Sequence, residues 1–260
     1  MELSEQHQAE LREAKRLLEH PGYVARLTDL IGTPIDMAIK RLPAPVTDKI
    51  AKVTNATLTK TLSVATSTMR GTSTSASPKT HSLAVALSGA AGGAFGLAGL
   101  AFELPVSTMV MMRSIADIAR ANGEQVTSDQ TQLACLMVFS LGGKSSSDDA
   151  SESGYYAARM ALAKAMSDAS AYLARHGAVK EGAPALVRLI TQIATRFNIQ
   201  VSQKAAAMMV PILGAAGGAV INTLFINHFQ DMARGHFTVR RLERVYGEDV
   251  VRTAFLAMNA

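Results

Sequence analysis

Apolar residues recur at helical spacing along most of this chain, and no long stretch alternates between apolar and polar positions as a strand would. In the first segment, Leu11, Ala14 and Leu18 fall three and four residues apart, while Glu, Gln, Arg and Lys fill the other positions. This spacing predicts a helix over residues 3–19, which Pro21-Gly22 ends. The pattern as a whole predicts an all-α protein.

Glycine and proline divide the rest of the chain into further helices. Two short pieces over 23–42 are separated at Gly32-Thr33-Pro34, and a capping box at Thr127 and Gln130 opens a helix that runs to Leu141. Glu103 and Pro105 are expected to end the apolar segment 80–102, and Gly235 and Gly247 are expected to break the last helices. The remaining predicted helices cover 45–68, 106–121, 150–175, 183–197, 202–234 and 238–258.

A small polar linker suggests the division of the chain. Residues 71–79 contain mainly Gly, Thr, Ser and Ala. We therefore expect an N-terminal helical segment over 1–70 and a helical region over 80–260, with one continuous domain as the alternative.

An internal repeat connects the two halves. The hexapeptide Gly-Ala-Ala-Gly-Gly-Ala occurs at 89–94 and again at 214–219, an offset of 125 residues. At the same offset Lys79 matches Lys204 and Val85 matches Val210. The repeat predicts a multi-helix bundle with two pseudo-repeated halves, each containing a Gly-rich apolar helix.

The glycines of this repeat give each predicted helix one smooth face. Because glycine in a helix costs up to about 1 kcal/mol relative to alanine, close packing must compensate. One interpretation is a tight helix crossing in the core. The other is a membrane-inserting hairpin, since 83–102 has about the length of a membrane span. The candidate lipid or apolar contacts are Gly89, Gly92, Gly93, Gly96, Gly214, Gly217 and Gly218.

Composition excludes several classes of protein. The chain has 260 residues, of which 48% are apolar and 18% are charged, and so it is not intrinsically disordered. The single cysteine, Cys135, excludes a disulfide framework and a multi-cysteine zinc site. Aromatic residues make up only 5%, which argues against nucleic-acid binding by base stacking.

Charge is unevenly placed. The net charge is +5, and residues 49–102 and 182–230 contain eight Lys and Arg but no Asp or Glu. Basic and apolar stretches together are typical of a protein that contacts an anionic membrane face. The first twenty residues contain five glutamates and no apolar signal-peptide core, so we expect a cytoplasmic protein, peripheral to the cytoplasmic membrane.

Several polar residues are candidates for chemistry. Arg234, Arg240, Arg241 and Arg244 predict either ion pairs within a helix or a site for anionic headgroups. His228, Asp231 and His236 are candidates for a metal site, because they lie close together in the sequence. A buried Glu103 could serve as a functional acid. Because it is expected to end a helix, we expect its carboxylate to be exposed instead. No complete cofactor motif is present, and no cofactor is expected.

Several motifs resemble the EcsC protein family of bacteria. They include 89–95 (Gly-Ala-Ala-Gly-Gly-Ala-Phe), 113–119 (Arg-Ser-Ile-Ala-Asp-Ile-Ala) and the most specific segment, 222–237 with 240–247. The resemblance extends over about 80–258. It implies a helical bacterial protein for which membrane association is often suggested, and it supplies no reaction or catalytic residues.

These features together predict a non-catalytic protein that is membrane-associated or lipid-binding. Its expected partner is membrane lipid or a membrane protein, and no binding of nucleic acid is expected. Two alternatives stay open: a hydrolase or metalloenzyme using His228, Asp231 and His236, and a soluble scaffold that binds other proteins.

Overall fold

The computed structural model describes residues 3–19, 22–68, 96–142, 154–176, 182–209 and 214–258, and within these ranges all regular structure is helical. This confirms the prediction of an all-α bundle. A short 3-10 helix, Val138–Ser140, follows the sixth of the ten α helices found within these ranges. In chain order these are α1 (Glu5–Glu19), α2 (Tyr23–Ile31), α3 (Ile35–Ile39), α4 (Ala44–Thr68), α5 (Gly96–Ala121), α6 (Asp129–Met137), α7 (Gly154–His176), α8 (Pro184–Met208), α9 (Gly214–Tyr246) and α10 (Glu248–Ala257).

The long helices α4, α5, α8 and α9 build the centre of the bundle. Helix α4 packs against α5 and α8, whereas α9 packs along α5 and α1. One apolar core extends from Leu11 in α1 to Phe255 in α10. The described part of 1–70 therefore shares the core of the region after 80. The linker 71–79 lies outside the described residues, and the two pseudo-repeated halves stay a prediction.

The helix end predicted at Glu103 and Pro105 is wrong. Helix α5 runs unbroken through Pro105. A proline inside a helix lacks the N–H of the regular ladder and costs about 3 kcal/mol. Here the adjacent Leu104 and Ser107 are fully buried, so packing holds the helix together across the proline.

The break predicted at Gly235 is also wrong, because α9 is continuous from Gly214 to Tyr246. A Cβ atom at Gly235 would lie 2.6 Å from Cγ of Leu18 and 3.0 Å from the carbonyl oxygen of Ala14. Glycine at this position therefore allows close approach of α1 to α9 instead of ending the helix.

Two other boundaries differ from the prediction. The cap of α6 is Ser128 rather than Thr127, since the Ser128 hydroxyl accepts a hydrogen bond from the Thr131 N–H at 3.2 Å. Helix α8 continues to Met208, well beyond the predicted end at 197. Residues 198–202 contain neither Gly nor Pro, so nothing in them ends a helix.

The close approach at Gly235 predicts the effect of a single methyl group. Substitution Gly235→Ala should lower the free energy of unfolding by about 1–3 kcal/mol, because the methyl group must displace α1 or Leu18. Denaturant unfolding measures the effect. The matched control is Gly154→Ala in the first turn of α7, where the nearest atom is 3.8 Å from the added Cβ. Equal stability of the two variants would contradict the tight crossing.

Candidate functional site

Five polar side chains from four helices lie inside the bundle. They are Tyr23 of α2, Glu103 of α5, Gln200 and Lys204 of α8, and His228 of α9, and none is more than 5% exposed. We call these five residues the polar core. Buried polar groups of this kind mark either structural networks or binding sites, and their hydrogen bonds decide which.

The centre of the polar core is an ion pair. The ammonium group of Lys204, with no solvent exposure, donates to Oε2 of Glu103 at 2.6 Å. The same ammonium lies 4.6 Å from the centroid of the Phe225 ring. Burial lowers the pKa of Lys204 and the Glu103 charge only partly opposes this. The expectation that Glu103 is an exposed carboxylate is therefore wrong, because α5 continues past it into the core.

His228 lies against Tyr23, with ring centroids 4.9 Å apart and an angle of 24° between the ring planes. Its ring hydrogen-bonds to the backbone of Leu141, whose carbonyl also accepts from Nε2 of Gln200 at 3.0 Å. The backbone of Gly142, which has a φ of +75°, lies directly against the imidazole of His228. A Cβ atom added at Gly142 would lie 2.4 Å from Cε1 of this ring. Burial lowers the pKa of His228 to about 4, so the imidazole is neutral at pH 7.

Four atoms of the polar core are buried without a hydrogen-bond partner in the described structure. They are the hydroxyl of Tyr23, Oε1 of Glu103, Oε1 of Gln200 and Nε2 of His228. Burial, and after it the Glu103 charge, raises the pKa of the Tyr23 phenol well above its usual value. A buried polar group without a partner costs about 1–3 kcal/mol, and an ordered water molecule is the usual way in which proteins offset this cost.

Two of the predicted headgroup arginines hold the loop after α5. The guanidinium groups of Arg240 and Arg244 both donate to the carboxylate of Glu124. Nε of Arg240 lies 2.9 Å from Oε1 of Glu124. Burial opposes the ionised form of Glu124, but Arg240 and Arg244 together lower its pKa. Arg244 also donates to the backbone carbonyl of Asn122 at 2.5 Å.

The other two arginines are paired as well. Arg241 donates to Glu10 and so joins α9 to α1. Arg234 donates to Asp231 one turn earlier at 2.7 Å, which is the ion pair within a helix that the sequence suggested. The arginine cluster therefore makes internal contacts, and a role in headgroup binding would have to compete with these pairs.

The structure does not bring His228, Asp231 and His236 together as a metal site. Because α9 is unbroken, the two histidines lie eight residues apart, or about 12 Å along the helix axis. Nδ1 of His236 lies 2.9 Å from the hydroxyl of Tyr155, away from the polar core. In the described ranges no group of three or more His, Cys, Asp or Glu could hold a metal ion.

The candidate glycines fall into three groups. Gly96 and Gly214 begin α5 and α9, and Gly217 and Gly218 are buried in the first turns of α9. The remaining three lie outside the described residues: Gly89, Gly92 and Gly93. No described helix is long and apolar enough to cross a membrane.

Sequence reasoning missed part of the polar core. Lys204 entered as a match to Lys79 and as one of the basic residues of 182–230, and a lysine is expected in solvent rather than in the core. Tyr23 and Gln200 carry no signal for the site, because only the packing of α2 and α8 brings them to His228.

The ion pair predicts a strongly non-additive pair of substitutions. Lys204→Met should lower the free energy of unfolding by about 3–5 kcal/mol, since it leaves the buried Glu103 charge unpaired. The double variant Glu103→Leu/Lys204→Met should recover most of this loss. Lys164→Met, which breaks the exposed pair with Asp168, is the control and should cost less than about 1 kcal/mol. Additive losses in the double variant would refute the coupling.

The buried imidazole predicts a stability that falls in weak acid. Below pH 6.5 the unfolded chain protonates residue 228, whereas the folded chain resists protonation until about pH 4. Stability is therefore full above pH 6.5 and declines toward pH 4, by about 1.4 kcal/mol per pH unit from this residue.

The test is the slope of unfolding free energy against pH. His228→Gln should reduce this slope, whatever its stability at pH 7. The exposed His176→Gln should leave the slope as it is. An unchanged slope in His228→Gln would show that the ring is not held neutral.

Comparisons with known proteins give one match. The model of the EcsC protein family matches residues 5–242, which includes most of the N-terminal segment as well as the motifs between residues 80 and 242. Comparisons with curated proteins and with solved structures gave no match. The chain belongs to the EcsC protein family.

Proposed function

We propose that this chain is a non-catalytic, membrane-associated or lipid-binding protein that contacts lipid or a membrane-protein partner through one end of its bundle. Glu103 lies two turns after the start of α5 and Lys204 one turn before the end of α8. Their ion pair therefore brings these two helix ends together, and only five residues separate the end of α8 from the start of α9. We call this region, around Gly96, Met208 and Gly214, the glycine end.

Exposed apolar side chains at the glycine end carry the proposal. Met209 is 37% exposed and Val220 is 45% exposed; Met209 follows the end of α8, and Val220 lies near the start of α9. In sequence, the apolar, Gly-rich stretch 83–95 leads directly into α5 at this same end. Apolar groups around two adjacent helix starts suit contact with acyl chains or with an apolar protein surface.

Exposed lysines supply the charge that an anionic surface would attract. Lys49, Lys52 and Lys60 are exposed along α4, which packs against α5 and α8. Each lysine close to an anionic membrane adds about 1 kcal/mol of attraction. These lysines suit headgroup contact better than the four C-terminal arginines, which have carboxylate partners in the fold.

Flotation with lipid vesicles tests the proposal with two matched variants. Val220→Glu and Val245→Glu each place a carboxylate at an exposed valine of α9, about 37 Å apart along the helix. The native chain should float with vesicles of anionic phospholipid at low salt. Val220→Glu should lose most of this binding, because a charge at the glycine end opposes apolar contact. Val245→Glu should bind like the native chain.

The salt dependence of flotation separates the two contributions. Salt should weaken the lysine attraction while leaving the apolar contact in place. A native chain that stays unbound at low salt, or an equal loss of binding in both variants, would refute membrane contact at the glycine end.

A further inference from the structure

Helix α1 is attached to the bundle by few buried side chains. Of its 15 residues only Leu11, Ala14 and Leu18 are buried, whereas α8 buries 14 of its 25 residues. An isolated helix of this length is marginal in water, so α1 is helical mainly because it is docked. The contacts that dock it therefore determine whether this segment stays in place.

Helix α1 lies along the second half of α9 and runs in the opposite direction. His7, near the start of α1, contacts Tyr246 at the end of α9, with Nδ1 2.8 Å from the tyrosine hydroxyl. Leu18, near the end of α1, lies against Gly235 in the middle of α9. Helix α1 therefore covers the face of α9 between these two points, and its departure would uncover that face.

Two polar side chains of α1 bind the ends of neighbouring helices. The carboxylate of Glu19 accepts hydrogen bonds from the backbone N–H groups of the first two residues of α7, at 3.2 and 3.1 Å. The ammonium of Lys15 donates to the carbonyl oxygens of Phe255 and Met258, at 2.8 and 2.6 Å, where α10 ends. Both charges have the sign that the helix dipole favours at that end. We call Glu19 and Lys15 the two latches.

Water can replace these polar contacts when α1 leaves. The N–H and carbonyl groups at helix ends have no partner within their own helix, and water commonly satisfies them. The further ion pair of α1 joins Glu10 to Arg241, whose side chains are 30% and 32% exposed. Ion pairs in contact with solvent contribute little to stability, and salt weakens them. None of these contacts resembles the fully buried ion pair that holds α5 to α8.

The seam between α1 and α10 is incompletely packed. A cleft of about 680 Å³ lies there. Its lining includes Leu3 and Gln8 on one side and Val250, Ala254 and Met258 on the other. Helix α1 can therefore separate from α10 without breaking a continuous apolar contact along this seam.

We propose that α1 is a strap that leaves the folded bundle as a unit and uncovers the face of α9 around Gly235. The central helices α4, α5, α8 and α9 stay folded, because they share their own apolar core and the buried ion pair. Both latches are electrostatic, so ionic strength shifts the strap toward its open state. The proposal concerns the protein in solution and does not depend on membrane contact at the glycine end.

Hydrogen exchange of the full native chain, followed by mass spectrometry of its peptides, tests the strap. The amides of α1 should exchange as one group and faster than those of α8. Labelling of the single, buried cysteine, Cys135, should be slower still, since it requires the core to open. Raising sodium chloride from about 0.05 M to about 0.5 M should speed exchange in α1 relative to α8.

Two alanine variants on the same helix connect this opening to the latches. Glu19→Ala removes the carboxylate that caps α7 and should speed exchange of α1 about fivefold, the effect expected for loss of a helix cap, while α8 stays unchanged. Glu13→Ala is the control, because Glu13 pairs with Arg16 within α1, and it should exchange like the native chain. The proposal fails if α1 exchanges no faster than α8, if salt leaves its exchange unchanged, or if the two variants exchange alike.

Discussion

The ion pair of Glu103 and Lys204 is the constraint on which the arrangement of the bundle depends. Removing two charges from water costs several kcal/mol for each ion, and their attraction repays this cost only in good geometry. The 2.6 Å contact therefore fixes how far α5 and α8 can slide along each other. It also fixes which helix ends meet, and so it determines the position of the glycine end. The pair contributes more to the alignment of the helices than to net stability.

Helix α9 connects this interior to the rest of the molecule. His228 faces the polar core, Gly235 allows α1 to approach, and Arg240 and Arg241 hold Glu124 and Glu10. Arginines that are neighbours in the sequence thus pair with carboxylates in different parts of the fold. The stretch 182–230 contains no acidic residue, but its Lys204 is buried and therefore adds no charge to the exposed surface. Uneven charge along a sequence becomes a charged surface only where the side chains stay in solvent, as they do on α4.

The helical spacing of apolar residues was enough to predict most helices, because each long helix has one apolar stripe. The boundaries at Pro105 and Gly235 could not be predicted, since packing outweighs the local cost of proline and glycine there. Of the polar core, the sequence offered Glu103 and His228 as candidates, whereas it counted Lys204 among the basic residues expected in solvent. Tyr23 and Gln200 reach the site only through tertiary contacts, which no spacing in the sequence encodes.

The offset of the internal repeat gives the polar core a further significance. Glu103 and His228 are 125 residues apart, the same offset as the two hexapeptides. If the two halves share an origin, a carboxylate in α5 and an imidazole in α9 occupy equivalent positions on two related helices that pack together. Two identical residues there would either repel as like charges or fill the site symmetrically. A glutamate in α5 that pairs with Lys204, and a histidine in α9 that burial keeps neutral, avoid this repulsion.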